Sequence, residues 1–313
     1  MRAVVVDPNT VGRLAIQSVD RPVPLPNEAI VTVHAFSMNR GEIRRAQTAD
    51  TGWRIGWDLA GVVEQAAADG SGFPAGTRVV GFLPAGAWGE QVAVPTHSLA
   101  ALPATIPFNV AATLPVAGLT ALMTLEKGGL LLGKKVLITG ASGGVGHTAC
   151  QLARAAGAYV VAHVRRSQQV SFVKTTGAHE VVEGETPADA AQYGPYDLVL
   201  DSVGDRVLPT VLELLGKDGM VVTFGSTAGR EALINVGNFY GKGGLQLYGF
   251  ILFHEVLKYP AALGLERLVK LVETGLLKPH IDLETSWEKV GEVAQQLTDR
   301  AFVGKAVLQV RSE

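Results

Sequence analysis

The sequence predicts an α/β protein with two domains, one containing a doubly wound parallel sheet and the other rich in β-strands. Three observations predict this fold. A glycine-rich turn, Gly140-x-x-Gly143-x-x-Gly146, lies between an apolar run and an amphipathic stretch. Strand-like and helix-like segments alternate from about residue 135. Before about residue 117, short β-prone runs and turn residues dominate.

The glycine-rich turn has the context that a dinucleotide site requires. The run 135–139 predicts a buried strand, and apolar residues from Val145 to Ala156 recur at helical spacing. Such a unit presents backbone N–H groups and a positive helix end to a diphosphate. The alternative is an ordinary strand–helix turn without a ligand. We expect the cofactor phosphates to contact Ser142, Gly143, Gly144 and Val145.

The N-terminal part alternates short β-prone runs with turns rich in Pro, Gly and Asp-Gly. This spacing is typical of a small barrel or sandwich. A helical pattern within it covers 40–46. The predicted strands are 3–6, 29–36, 61–65, 78–82 and 89–94.

Residues 107–132 are rich in Ala and Leu and predict two helical pieces, separated near Pro115 and Gly118, where the domains join. Helices at 262–273 and 287–300 and a strand at 305–310 form the tail. We expect the tail to rejoin the first domain, because a seventh parallel strand would overextend the nucleotide fold. The predicted strands of the parallel sheet are 135–139, 159–163, 180–182, 196–201, 220–224 and 245–250.

Composition excludes several classes of protein. The chain has 313 residues, a formal net charge of −2 and one cysteine, Cys150. No basic block suggests a nucleic-acid partner, and one cysteine excludes a disulfide framework. No apolar run reaches membrane-spanning length, so we expect no membrane partner. The first residues lack the apolar core of a signal peptide, so we expect a cytoplasmic protein.

The second predicted strand of the parallel sheet ends in a basic sequence. NAD-binding folds place an acid near this point, where it holds the ribose 2′-hydroxyl. Here the sequence is Arg165-Arg166-Ser167, without an acid. Arginines suit a 2′-phosphate through charge-assisted hydrogen bonds, so this loop predicts NADP (NADPH) as the cofactor. The alternative is a solvated basic loop.

Several motifs follow one another along nearly the full length. They are Gly56-Trp-Asp-Leu-Ala-Gly61, Ala111-Ala-Thr-Leu-Pro-Val-Ala-Gly-Leu-Thr-Ala121, Gly140-Ala-Ser-Gly-Gly-Val-Gly146, Asp201-Ser-Val-Gly204 and Gly304-Lys-Ala-Val307. Together they resemble the medium-chain dehydrogenase/reductase superfamily, and within it the zinc-independent quinone oxidoreductase (ζ-crystallin-like) branch. The resemblance implies a GroES-like catalytic domain at 1–117 plus 262–313 and a Rossmann NADP-binding domain at 118–261. It also implies a homodimer formed through the edge strand at 245–250.

The resemblance also implies further contacts with the cofactor. The expected phosphate contact outside the glycine turn is Thr120, and Phe250 is expected near the nicotinamide. The other expected contacts follow strand ends or lie in the tail. They are Ser202, Gly225, Ser226, Thr227, Gly304 and Lys305.

The two segments that carry zinc ligands in zinc-bearing relatives lack them here. The first is Ser37-Met-Asn-Arg-Gly-Glu42, without a cysteine, and the second has Trp57 where those relatives have a histidine. The histidines of the chain are scattered, so we expect no metal site. Without a Lewis acid, reduction of a conjugated substrate is easier than oxidation of an alcohol.

The expected catalytic residues are few, because hydride transfer needs positioning more than a nucleophile. Asn39 and Arg44 are expected to shape or polarise the site. Some relatives carry a Tyr shortly after the aligned Asn, and this chain does not, which leaves the proton source open among water, a cofactor hydroxyl, Tyr240 and Tyr248. Trp53, Trp57 and Trp88 are expected to line a flat pocket or to pack in the core.

These residues predict an NADPH-dependent, zinc-free enzyme that reduces a small molecule, a quinone or an α,β-unsaturated carbonyl. One alternative is a reductase of enoyl thioesters or polyketide-type enones, which would need a basic mouth for its carrier. A second alternative is a protein that binds NADPH as a structural or redox-sensing ligand.

Overall fold

The computed structural model of the chain describes residues 1–311 and divides them into two compact units. The first unit contains Met1–Leu119, Val256–Gly275 and the chain from Pro279 onward, and the second contains Thr120–Glu255 and Leu276–Lys278. The predicted domain boundaries were 117/118 and 261/262, and the chain changes unit at 119/120 and 255/256. The last two residues of the predicted tail, 312 and 313, lie outside the described residues.

The strands and helices have the following bounds. The strands are β1 (Arg2–Val6), β2 (Leu14–Ser18), β3 (Glu28–Ser37), β4 (Asp58–Gln65), β5 (Arg78–Phe82), β6 (Gln91–Pro95), β7 (Leu99–Ala101), β8 (Lys135–Ile138), β9 (Tyr159–Val164), β10 (Glu180–Glu183), β11 (Tyr196–Asp201), β12 (Leu215–Thr223), β13 (Gln246–Gly249), β14 (Ile281–Ser286) and β15 (Lys305–Gln309). The α-helices are α1 (Arg40–Ala46), α2 (Phe108–Ala111), α3 (Leu119–Glu126), α4 (Gly144–Ala155), α5 (Val170–Lys174), α6 (Val207–Leu214), α7 (Val236–Gly241), α8 (Leu252–Glu255), α9 (Ala261–Glu273) and α10 (Val290–Thr298).

The second unit contains a six-stranded parallel sheet in the order β10-β9-β8-β11-β12-β13. The apolar residues of its central strands β8 and β11 are all buried, as expected for strands covered on both faces. The strand order reverses between β8 and β11, and ligands bind beyond the carboxyl ends of the strands at such a reversal. The prediction of a doubly wound sheet is confirmed.

The first unit contains a seven-stranded sheet with the path β14-β15-β3-β4-β5-β7, and β6 pairs with β3. Its core is apolar and includes Trp88, which is fully buried and stacked on Phe36 with the ring centroids 4.7 Å apart. Trp88 is therefore a core residue. Trp57 is 7% exposed, and its ring lies against Gly41. The tail strand β15 pairs antiparallel with β3, so it belongs to this sheet.

The segment 107–132 contains the two predicted helical pieces, and three strands were absent from the prediction. The two helical pieces are α2 and α3, and between them a wide turn at Leu114–Gly118 includes Pro115 and Gly118 and runs directly into α3. Pro115 is tolerated because it stands in the first positions of that turn, where its missing N–H leaves no helical hydrogen bond unmade. Strands β2, β7 and β14 were absent from the prediction. The side chains of β14 are alternately half-buried and exposed, and β14 lies at the edge of the sheet.

Within residues 1–311, the structure contains no helix that is both long enough and apolar enough to cross a membrane.

Candidate functional site

The glycine turn brings α4 against the end of β8. A Cβ atom on Gly146 would lie 2.4 Å from Gly140 O and 2.6 Å from Ala141 Cα, which are backbone atoms that cannot move aside. Gly140 has a φ of +61°, a left-handed conformation that favours glycine. Both glycines are therefore required by the close packing of helix and strand, independent of any ligand.

The start of α4 has the features of an anion site. Its first backbone bond runs from His147 N–H to Gly143 O at 3.0 Å, so the N–H groups of the preceding turn are not used within the helix. The N-cap residue Gly143 makes no side-chain cap, and the first turn contains no acid. The predicted contacts Ser142, Gly143, Gly144 and Val145 are only half-buried. The arrangement fits a diphosphate.

A buried hydrogen-bond network fixes the loop after β11 beside the glycine turn. The carboxylate of Asp201, which is fully buried, accepts from Thr139 Oγ1 at 2.7 Å and from the N–H groups of Val203 and Gly204. Burial raises the pKa of Asp201, and these hydrogen bonds oppose the rise. Thr139 Oγ1 also accepts from Ser202 N–H at 3.1 Å. Thr139 and Asp201 thus hold Ser202 at the strand reversal.

The loop after β12 packs on the same place. Thr227 N–H donates to Ser202 O at 3.2 Å, and a Cβ atom on Gly225 would lie 2.8 Å from that oxygen. A Cβ on Gly140 would lie 2.5 Å from Ser202 Oγ. The structure therefore brings together the glycine turn, Ser202 and the Gly225–Ser226–Thr227 segment, as a shared cofactor site would require.

The carboxyl end of β9 lies beside the glycine turn, because Ala141 N–H donates to His163 O at 3.1 Å. Arg165, Arg166 and Ser167 follow directly and are all exposed. His163 is buried, its Nε2 lies 2.8 Å from Gly184 O, and burial lowers the pKa of its imidazole. An exposed basic segment beside a half-buried anion site fits a cofactor with an additional phosphate.

The first unit contains a buried ion network of Asn39, Glu42, Asp58 and Lys305. The Lys305 ammonium donates to Asn39 Oδ1 at 2.6 Å and to Met38 O at 2.8 Å, and it lies 3.4 Å from Asp58 Oδ2. Asn39 Nδ2 donates to Asp58 Oδ2 at 2.8 Å and to Glu42 Oε2 at 3.1 Å. The amide of Asn39 thus links one ammonium to two carboxylates.

Backbone N–H groups complete the buried ion network. Glu42 accepts from Asn39 N–H and from Trp57 N–H, each at 2.6 Å, and Asp58 Oδ1 accepts from Val116 N–H at 2.9 Å. Burial and the charge of Asp58 raise the pKa of Glu42 well above its usual range, whereas Lys305 and the two N–H groups lower it. The network joins β3, β4, β15, α1 and the wide turn before α3.

The remaining predicted residues are not part of the buried ion network or of the group formed by the glycine turn, Ser202 and the Gly225–Ser226–Thr227 segment. Arg44 is exposed on α1, and Tyr240 is 74% exposed on α7. Tyr248, the other candidate acid, donates its hydroxyl to Glu255, which also pairs with Lys127 at 2.7 Å. Thr120 and Phe250 are each 6% exposed in the second unit, and Gly304 directly precedes Lys305.

Four residues of these clusters were not predicted to have a role: Glu42, Asp58, Thr139 and Asp201. Glu42 had a signal, since Asn39 followed three residues later by Glu is a capping-box spacing. The others lie at strand ends, and only the fold shows that their side chains meet. Within residues 1–311, no cluster of three or more His, Cys, Asp or Glu side chains could hold a metal ion.

Two family models match the chain. The model described as the alcohol dehydrogenase GroES-like domain matches residues 25–104, and the model described as zinc-binding dehydrogenase matches residues 144–266. The first match falls in the β-rich unit. The second falls mainly in the unit with the parallel sheet.

Full-length similarities agree with the domain matches. The Arabidopsis thaliana protein named chloroplast envelope quinone oxidoreductase homolog is 32% identical over 320 residues, which cover 95% of each chain. The structure of the quinone oxidoreductase from Coxiella burnetii is 26% identical, with 99% of each chain covered and a TM-score of 0.86. The Escherichia coli quinone oxidoreductase complexed with NADPH has the same fold, with 24% identity, a TM-score of 0.89 and coverage of 99% of this chain and 100% of that one.

Proposed function

Since this chain is an oxidoreductase of the medium-chain dehydrogenase/reductase family, in its quinone oxidoreductase branch, we propose that it uses NADPH to reduce quinones or α,β-unsaturated carbonyls. The observation that carries the proposal is the glycine turn, which packs against Ser202 and is followed at the end of β9 by two exposed arginines without an acid. The Escherichia coli neighbour, which has the same fold, is complexed with the same cofactor.

The residues of this chain would divide the work of holding the cofactor. The N–H groups at the start of α4 receive the diphosphate, with Thr120 as a further phosphate contact. Arg165, Arg166 and Ser167 receive the 2′-phosphate. When bound, the cofactor supplies the hydride. The remaining contacts with the cofactor come from residues that follow strand ends or lie in the tail: Ser202, Gly225, Ser226, Thr227, Phe250, Gly304 and Lys305. The ammonium of Lys305 is held by Asn39 and Asp58, so this residue would act through its position and not through a free charge.

The substrate needs a positive environment for the charge that develops on its oxygen. Arg44 is a permanent cation and stabilises that charge, although it is a poor acid. Asn39 shapes the site through its fixed amide. The proton comes from water, from a cofactor hydroxyl or from a tyrosine, Tyr240 or Tyr248; an unchanged turnover rate in Tyr240→Phe would exclude Tyr240 as the donor.

We propose that the reaction proceeds without zinc. Trp57 stands where zinc-bearing relatives have a histidine, and the single cysteine is fully buried in α4. Burial raises the pKa of the Cys150 thiol to about 12, so it is a poor source of the thiolate that zinc prefers. Activity that persists after dialysis against a chelator would support this assignment, and activity restored only by added zinc would overturn it.

The double variant Arg165→Ala plus Arg166→Ala is expected to lose NADPH affinity and to keep NADH affinity. Two charge-assisted contacts to the 2′-phosphate contribute together about 3 kcal/mol, which corresponds to a weakening on the order of 100-fold. The measurement is a fluorescence titration with each cofactor. Arg267→Ala plus Lys270→Ala, which removes the same charge from α9, is the control and should bind both cofactors as the wild type does. Unchanged NADPH affinity in the first variant would refute the phosphate assignment.

The substrate class is tested by NADPH consumption with a quinone, a conjugated enone and an enoyl thioester. We expect turnover with the quinone or the enone. Turnover of the thioester alone would shift the function to the thioester reductases. Tight NADPH binding with turnover of none of them would favour a structural or sensing role for the cofactor.

We further propose a cytoplasmic homodimer that pairs through β13. This strand lies at the edge of the parallel sheet, and Gln246, Leu247 and Gly249 are exposed along it. An unpaired edge strand is a ready template for pairing with a second copy. Light scattering that gives the mass of a monomer would contradict the dimer.

A further inference from the structure

We propose that Glu42 is a positioning residue of the reductase: through its carboxylate it fixes the start of α1, and with it the Asn39 amide and Arg44, in the arrangement that turnover requires. The inference rests on the proposed function, because Asn39 and Arg44 are the residues that the proposal places at the substrate. Glu42 itself is fully buried and acts through these neighbours.

Helix α1 is too short to hold its own position. It has seven residues, and isolated helices shorter than about 12 residues are marginal in water. Glu42 anchors it to the rest of the unit, since one carboxylate oxygen accepts from Trp57 N–H and the other from Asn39 N–H. The anchor therefore joins the first turn of α1 to the segment that leads into β4.

The same carboxylate orients the Asn39 side chain. Both N–H bonds of the Asn39 amide are directed to carboxylates, one on Glu42 and one on Asp58, while its oxygen accepts from Lys305. With this pattern the amide has a single favourable orientation, because a flip would place its NH₂ group against the ammonium. Removing the Glu42 acceptor removes one of the three contacts that set the orientation.

The charges around Glu42 come from different elements. Asp58 on β4 contributes a negative charge and Lys305 on β15 a positive one, and Arg44 and Arg45 on α1 are exposed. Two carboxylates thus face one buried ammonium. Because burial and Asp58 raise the pKa of Glu42, we expect it to take up a proton at a higher pH than an ordinary glutamate does. A protonated carboxyl group accepts the two N–H groups less well, so α1 should loosen as the pH falls.

The functional test compares Glu42→Gln with the wild type. We expect kcat with a quinone or enone to fall on the order of 10- to 100-fold, as for a small displacement of reacting groups, while the Kd for NADPH stays within about twofold. The wild-type kcat should decline at low pH with a midpoint above the usual glutamate range, and the variant should lack this decline. Glu64→Gln is the control: it makes the same change on β4, in a carboxylate that accepts from Thr32 and Gln91, and should keep the wild-type profile.

A second measurement needs neither turnover nor cofactor. The amide protons of Asn39 and Trp57 donate to the same carboxylate, so their NMR shifts should titrate together, with the midpoint of the kcat decline. Arg2 N–H, which donates to Glu90 at 2.8 Å, is an internal control, because its hydrogen bonds lower the pKa of Glu90. The Arg2 amide should therefore titrate at a distinctly lower pH.

The outcomes separate this inference from the proposed function. A wild-type protein that reduces none of the substrates would overturn the proposed function and the positioning role together, although common titration of the two amides would still establish the anchor. An active wild type whose kcat profile is unchanged in Glu42→Gln would overturn the positioning role alone. Different midpoints for the Asn39 and Trp57 amides would overturn the anchor.

Discussion

Replacing Lys305 with methionine is expected to lower the free energy of unfolding by about 3–5 kcal/mol. The side chain of Lys305 is 3% exposed, and that of Asp58 is fully buried. Without the ammonium, two buried carboxylates face each other through the Asn39 amide with no cation. Urea unfolding followed by tryptophan fluorescence measures the loss.

Two comparison variants isolate the electrostatic cause of that loss. Lys270→Met removes an ammonium that is 70% exposed and paired with Glu273 within α9, and it should change stability little. The double variant Asp58→Asn plus Lys305→Met removes one charge of each sign and should recover part of the loss. If the two charges do not interact, Asp58→Asn will lower the stability of the Lys305→Met protein as much as it lowers the stability of the wild type. That result would contradict the electrostatic cause.

Replacing Gly146 with alanine is expected to abolish measurable NADPH binding and to destabilise the second unit by about 1–3 kcal/mol. The new methyl group would lie 2.4 Å from Gly140 O, so α4 must move away from the end of β8. This movement shifts the N–H groups that receive the diphosphate. Cofactor fluorescence and thermal unfolding measure the two effects.

Gly143→Ala is the matched comparison for Gly146→Ala. Its Cβ would have its nearest contact 3.4 Å away, and Gly143 has a φ of −84°, so the fold should tolerate the change. The methyl group would nevertheless stand at the start of α4. We therefore expect nearly normal stability with weaker NADPH binding. Normal NADPH binding by Gly146→Ala would contradict the role of this turn.

Much of the fold follows from periodicity and turn chemistry. The parallel sheet was predictable because its central strands contain short apolar runs, each separated from the next by a helix or a turn. The start of β4 was not predictable in this way: the predicted strand began at Gly61, whereas the observed strand begins at Asp58. An acid is disfavoured in a buried strand unless its charge is compensated, and here Ser37, Asn39, Val116 and Lys305 supply the compensation from distant parts of the chain.

The candidate site was predictable to the extent that its residues are contiguous. The glycine turn and Arg165–Arg166 are local signals with a fixed distance from a strand. Glu42, Asp58 and Asp201 act through contacts between residues far apart in the sequence, such as Thr139 with Asp201. Lys305, expected at the cofactor, has its ammonium directed to Met38, Asn39 and Asp58, which no sequence pattern indicates.

The central claim is that the enzyme transfers hydride from NADPH to a conjugated substrate. The most direct measurement uses NADPH deuterated at the transferable position of C4 and a simple enone, with the product examined by mass spectrometry. We predict one deuterium on the β-carbon of the reduced product, formed in proportion to the NADPH consumed. NADPH consumption without deuterium in the product, or no consumption with any enone or quinone, would contradict the account.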